Sequence, residues 1–180
     1  MVATRISVAE FEASCGDDRV ELIDGDVVPM SPASLDSAGI TATITILVGS
    51  HVRLHKLGRV YSDEAGFVLF PDRETVLAPD VTFVRASRDA QGDARQHFAR
   101  FAPDLAVAVI SPSDRASDVA AKVAMHMAAG VPLVWLVDPP AQTVTVFALG
   151  QAPVTLGIGD ELDGAEVLPE FRVAVAAIFA

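Results

Sequence analysis

Two uninterrupted apolar runs, LAVAVI at residues 105–110 and LVWLV at residues 133–137, stand on either side of a segment that reads as a helix. A strand that is apolar at every position has no face for solvent, so both of its faces must be covered. Parallel neighbours need a crossover of a dozen or more residues, usually a helix, and that crossover is right-handed. Ser111-Pro112-Ser113-Asp114 breaks the first run, and a helix then extends to about Ala129 and stops at Gly130. Residues 105–137 therefore predict a strand–helix–strand crossover inside a mixed sheet.

The rest of the chain supplies shorter elements. Ser7 to Glu10 fits a capping box, which starts a short helix near Val8. Val20 to Met30 alternates around Asp24-Gly25, a two-residue hairpin signal. After Ser31-Pro32, residues Ile40, Ile44, Leu47, Val48 and Val52 recur at helical spacing up to His55. Short strands are expected at Arg59–Ser62, at Gly66–Leu69, and from Val76 into Val81–Val84, with Pro71-Asp72 as a turn. Arg85 to Ala99 is polar and reads as a loop with a helical turn. Thr143–Ala148 alternates like a half-exposed strand, and the C-terminus adds short strands and a final turn over Val173–Phe179. With no repeat, linker or low-complexity tract, the expectation is one domain over residues 1–180: α/β or α+β, a central mixed sheet with helices on its faces and hairpins at its edge.

Composition narrows the function classes. The 180 residues are 51% hydrophobic and 21% charged, a globular balance with enough chain for a full core. Runs such as VPLVWLV are too short to span a bilayer, and residues 1–15 carry Arg5, Glu10 and Glu12 with no apolar signal-peptide core. No membrane association and a cytoplasmic location are the expectations. Cys15 is the single cysteine, so neither an internal disulfide nor a cysteine-clustered metal site can form.

The net charge of −11 argues against a broad nucleic-acid surface. It is unevenly spread: residues 1–50 hold 2 basic and 8 acidic groups, residues 101–180 hold 3 and 9, and residues 51–100 hold 8 and 7. A polyanion would have to be met there, around Arg53, Lys56 and Arg59 or around Arg85, Arg88, Arg95 and Arg100. Ordinary solvated surface is the simpler account of the same residues.

Two segments begin with Pro-Asp and enter a buried-looking strand: LAPDVTFVR, headed by Asp80, and APDLAVAVISPSD, headed by Asp104. Lys122 follows on the predicted helix. By residue type alone an Asp after Pro is a turn residue, a lone Lys on a helix is solvated, and Glu21 in the hairpin strand VELIDG is exposed. His51 and His55, four apart, have a zinc-compatible spacing but lack a third ligand. Ser111 and Ser113 have no accompanying histidine motif and read as helix N-caps. His126 reads as packing or surface, and Trp135 as core.

The ordered set of motifs says more than any one of them. VELIDGDVVPMSPAS, GRVYSDEAGFVLF, TVLAPDVTFVR, PDLAVAVISPSD, the lone Lys122, AAGVPLVWLVDPPAQTVTVF and GDELDGAEVLPEFRVAVAAIF together resemble the Uma-two family of restriction-endonuclease-like bacterial proteins, within the PD-(D/E)XK nuclease superfamily. The resemblance covers nearly the whole chain. It implies a restriction-endonuclease-like fold, a homodimer, DNA as substrate, and a Mg²⁺ or Mn²⁺ ion. Carried over by position, Asp80 would be the metal-binding and catalytic aspartate, Glu21 an accessory catalytic acid, and Lys122 the catalytic lysine. Hard carboxylate oxygens suit such an ion, and a lysine can orient water or stabilise the phosphoryl oxygens.

The chain departs from that pattern at two positions. Ala108 stands where the resemblance implies a glutamate, the second metal ligand, and Ser37 stands about where it implies a histidine. Asp104, Asp114 and Asp63 are the available substitutes, although Asp104 is about 13 Å along an ideal strand from Ala108. The expectation is a divalent-metal-dependent DNA endonuclease with an impaired site. The alternatives are an inactive nuclease-fold binding or regulatory module and a protein that binds something other than nucleic acid.

Overall fold

The computed structural model describes residues 5–16, 18–89 and 96–180. Its centre is a six-stranded sheet with strand order β10-β9-β8-β7-β6-β3, made from β3 (Gly58–Ser62), β6 (Val81–Arg85), β7 (Leu105–Val109), β8 (Leu133–Asp138), β9 (Thr143–Ala148) and β10 (Val154–Leu156). Among the described residues of this sheet, β7 and β8 alone pair in parallel, and α3 (Ala116–Ala128) connects them; the other pairings are antiparallel. This is the predicted crossover. Its two apolar strands are buried because each face of the sheet carries a helix.

On one face lies α2 (Leu35–Leu54). Ile40, Ile44, Val48 and Val52 line up along it and pack on Leu105, Val107, Val109 and Trp135. By length and composition α2 could cross a membrane, yet this stripe is buried against the sheet. Its β-branched residues are poor helix formers. Thr41, Thr43 and Thr45 turn their hydroxyls back onto the carbonyls of Ser37, Gly39 and Thr41, so their polar groups are satisfied within the helix. On the other face Val123 of α3 packs with Ala106, Val131 and Val134.

The hairpin of β1 (Val20–Ile23) and β2 (Asp26–Pro29) is not at the edge of the central sheet, as expected, but in a second sheet. That sheet has the order β2-β1-β5-β4, with β4 (Phe67–Phe70) and β5 (Thr75–Leu77). The expected passage from Val76 into Val84 is accordingly two strands in two sheets. Ala78-Pro79-Asp80 carries the chain from β5 to β6, and proline's missing N–H interrupts any ladder there.

One face of the second sheet packs Leu22, Val68 and Val76 against Val8 and Phe11 of α1 (Val8–Ser14), which has the predicted Ser7–Glu10 capping box. The other packs Phe67, Leu69 and Leu77, with Ile23 nearby, against Met125 and Ala129 at the end of α3. Helix α3 thus covers parts of both sheets. Strands β11 (Glu161–Asp163) and β12 (Arg172–Ala174) form a small hairpin, and 3-10 turns occur at Pro71–Arg73 and Val175–Ile178. Gly58 opens β3 where a Cβ would lie 2.1 Å from the Val84 carbonyl oxygen, so only glycine admits this approach of β3 to β6.

Candidate active site

Asp80 sits in the segment entering β6. Val81 pairs with Val107 in the antiparallel β6–β7 ladder, so continuing the register by one place sets Asp80 opposite Ala108. The Val109 N–H donates to Asp80 Oδ2 at 2.6 Å, which fixes the carboxylate against the end of β7. Among the described residues Oδ1 accepts no hydrogen bond. Burial pushes the Asp80 pKa up to about 6. The Val109 hydrogen bond and the Lys122 charge oppose that rise, and the charges of Asp63 and Asp114 reinforce it.

Glu21 is 2% exposed, not on a solvent face as its strand pattern suggested. It lies on the side of β1 that looks toward α3, and the helix covers it. Its Oε1 accepts the Ala78 N–H at 3.1 Å, two residues before Asp80. Its Oε2 is 2.5 Å from Lys122 Nζ, and the Lys122 side chain is 38% exposed. This contact is an ion pair without the geometry of a directed hydrogen bond. Glu21 from the hairpin sheet, the lead-in to Asp80 and Lys122 from α3 therefore meet at the junction of the two sheets.

Ala108 presents a methyl group beside this junction, on the same face as Ala106 and in register with Leu136 of β8. The substitute acids are otherwise engaged. Asp104 is buried, accepts the Arg85 N–H, and pairs with Arg88 at 2.9 Å and Arg85 at 3.6 Å. Asp63 pairs with Arg19, and Asp114 Oδ2 accepts the Ser111 N–H at 2.7 Å. Ser37 is on α2, across the sheet from α3, where its hydroxyl donates to the Ile110 carbonyl at 3.2 Å. The two departures from the expected pattern thus arise on helices and strands of opposite faces.

The His51 and His55 rings lie 4.4 Å apart, and His51 Nε2 contacts the Pro169 carbonyl. No group of three or more His, Cys, Asp or Glu that could hold a metal occurs among the described residues. Ser111 and Ser113 do not cap α3: its N-cap is Arg115, with no side-chain cap bond. Trp135 is core, as expected.

His126, one turn beyond Lys122, is buried, and its Nδ1 has no partner among the described residues. Burial, with the Lys122 charge, lowers its pKa to about 4. Its helical spacing from Lys122 was the available sequence signal, but a histidine facing inward reads the same as any packed side chain.

Next to the junction is a cavity of about 410 Å³ bounded by Phe11, Arg19, Asp63, Ala78 and Phe98, among others. Most of the arginines considered for polyanion contact are paired with acids: Arg59 with Asp89, Arg85 and Arg88 with Asp104, and Arg100 with Glu12. Arg53, Lys56 and Arg115 have no ion pair among the described residues, and Arg95 lies outside those residues.

A family model described as "Uma2: Putative restriction endonuclease" matches residues 8–176. The chain belongs to the Uma2 family. No curated protein matches it. Among solved structures, a "putative nuclease belonging to DUF820" from Anabaena variabilis ATCC 29413 superposes with a TM-score of 0.84 at 18% identity, over 97% of each chain. At that identity the likeness establishes the fold, and Uma2 membership establishes the restriction-endonuclease-like family.

Proposed function

We propose that this Uma2 protein is a divalent-metal-dependent DNA endonuclease whose site is impaired by Ala108. The observation that carries the reading is that the Glu21–Lys122 pair holds the Ala78 amide two residues before Asp80, while Asp80 accepts the Val109 N–H next to Ala108 and feels the Lys122 charge. A buried carboxylate with a raised pKa and one uncommitted oxygen is a suitable ligand for a hard cation.

No three-donor group stands here among the described residues, so Asp80 would be the one protein carboxylate on a Mg²⁺ or Mn²⁺ ion, and water would fill the rest of its coordination. Such an ion supplies an activated water and neutralises charge on the phosphoryl oxygens. The chain's own contributions are distinct. Val109 orients Asp80, Glu21 fixes Lys122, and the Lys122 ammonium can stabilise a phosphoryl oxygen or orient the attacking water. Ala108 offers no donor, so one carboxylate and one negative charge are missing from the cation site.

The second reading is an inactive nuclease-fold binding or regulatory module. It is favoured by the engagement of Glu21 Oε2 with Lys122 and by the lack of a three-donor metal cluster among the described residues. Plasmid cleavage in Mg²⁺ or Mn²⁺, run beside Asp80→Ala and Ala108→Glu, separates the two. Cutting by the natural chain that disappears in Asp80→Ala supports the impaired enzyme. Cutting by Ala108→Glu alone supports the inactive module, and no cutting by any variant rejects the endonuclease.

A further inference from the structure

Helix α2 buries one stripe and shows a second to solvent. Ile40, Ile44, Val48 and Val52 face the central sheet. Leu35, Gly39, Ala42, Ile46, Gly49 and Arg53 recur at three- and four-residue spacing on the opposite side. Leu35 is 95% exposed and Ile46 66%, and a Cβ built on Gly39 or Gly49 would meet no atom within 4 Å. Among the described residues this face is therefore uncovered. A solvated helix face ordinarily carries charge. This helix carries none from residue 37 to residue 52, in a chain that is 21% charged. Charge returns only at its ends. Asp36 lies in the first turn and Arg53 in the last, both exposed. Neither has an ion pair among the described residues.

We propose that two copies of this chain pair through the outer face of α2, with the helices antiparallel about a twofold axis at the level of Ile44. A twofold contact sets residue i of one copy against residue j of the other, and j against i. About that centre Ala42 meets Ile46 of the second copy, Gly39 meets Gly49, and Leu35 meets the stem of Arg53. The larger side chain thus falls opposite a small one in the middle, and the glycines let the two backbones approach. Each end brings an Asp36 carboxylate beside an Arg53 guanidinium, so this charge pair forms twice per dimer. A parallel pairing would set Asp36 on Asp36 and Arg53 on Arg53, and like charges so placed oppose it. The contact runs about 27 Å at 1.5 Å per residue. One helix pair of that length is at the small end of specific interfaces, so the dimer is reversible and concentration-dependent. The junction of Asp80, Glu21 and Lys122 lies on the α3 side of the central sheet, away from this contact. The pairing is therefore independent of any cation or nuclease chemistry.

Sedimentation velocity of the full chain in EDTA, without DNA, tests the proposal. At about 100 µM the natural chain should sediment as a dimer. Ile46→Asp buries a charge at the centre of the contact and should sediment as a monomer at the same concentration. Asp36→Arg and Arg53→Asp should each weaken the dimer on the order of tenfold, because each sets like charges together at both ends. The double variant Asp36→Arg/Arg53→Asp restores opposite charges and should regain most of the loss. A monomeric natural chain overturns the proposal, and so does a dimer that Ile46→Asp leaves intact. Should Ile46→Asp fail to fold, the charge variants decide: single changes without effect, or a double variant that recovers nothing, overturn the antiparallel pairing. A monomer that floats with phosphatidylcholine vesicles, and stops floating as Ile46→Asp, assigns this face to lipid and likewise overturns it.

Discussion

The Asp80 carboxylate, one residue before the β6–β7 ladder begins, accepts the Val109 N–H, the amide that follows Ala108. A carboxylate installed at position 108 would therefore stand beside an acid whose pKa is already raised.

Ala108→Glu should create a cation-dependent protein. In EDTA at pH 8 the added charge meets Asp80 at close range, with a cost of about 1–3 kcal/mol. Saturating Mn²⁺ should restore that loss. Thermal melts with and without Mn²⁺ check this, and a variant as stable as the natural chain in EDTA would contradict it.

Two buried groups should tilt stability with pH in opposite senses. The folded Asp80 pKa of about 6 lies above its ordinary 3.8. Its stabilisation is complete below about 4 and is lost as pH rises through 6. The folded His126 pKa of about 4 lies below 6.5, so its stabilisation is present above 6.5 and is lost as pH falls through 4. Each spans up to about 3 kcal/mol, and the two nearly offset each other between pH 7 and 4. The stability of the natural chain relative to Asp80→Asn should therefore rise by up to about 3 kcal/mol from pH 7 to pH 4, as read by urea unfolding. A difference independent of pH would refute the Asp80 assignment.

The Glu21–Lys122 pair should show coupling. Removing either partner alone strands the other, whereas removing both leaves neither, so a double-mutant cycle with Glu21→Gln and Lys122→Met should give about 1–3 kcal/mol of interaction in denaturant melts. The partly exposed Lys122 side chain places the value at the lower end. Additive effects would show that the contact contributes nothing.

Gly58→Ala should be severe for a surface-connected strand. The new methyl would meet the Val84 carbonyl at 2.1 Å, and the β3–β6 pairing would have to shift. A loss of about 2–4 kcal/mol by urea unfolding is expected, with exchange of the β3 amides accelerated.

DNA binding should respond only shallowly to salt. With Arg59, Arg85, Arg88 and Arg100 paired to carboxylates, few cations remain to displace counterions. The slope of log K against log salt should correspond to about one to three phosphate contacts. A steep slope measured by fluorescence anisotropy would show that these pairs open on DNA.

The legible parts of the fold were those with one dominant periodicity. Strand β7, helix α3 and strand β8 followed from unbroken apolar runs around a helical segment, and α2 from its stripe of isoleucine and valine. What failed was the assignment of faces and partners. Alternation in VELI implied a solvent side, but α3 covers that side, so Glu21 is buried. Whether an acid is engaged elsewhere also escapes a linear pattern: Asp104 heads a strand just as Asp80 does, yet two arginines from the β6 end hold it. The Glu21–Lys122 contact joins residues about a hundred positions apart, and no local spacing encodes it.

The Ala78-Pro79-Asp80 passage also has a mechanical consequence. Three residues splice one sheet to the other, with Glu21 gripping the upstream end and Val109 the downstream end. A ligand that pulls on the Asp80 side chain would load this splice from its middle. The hairpin layer and the parallel pair would then be strained together, so occupancy could be sensed as altered hydrogen exchange in β1 and β2, well away from the point of contact.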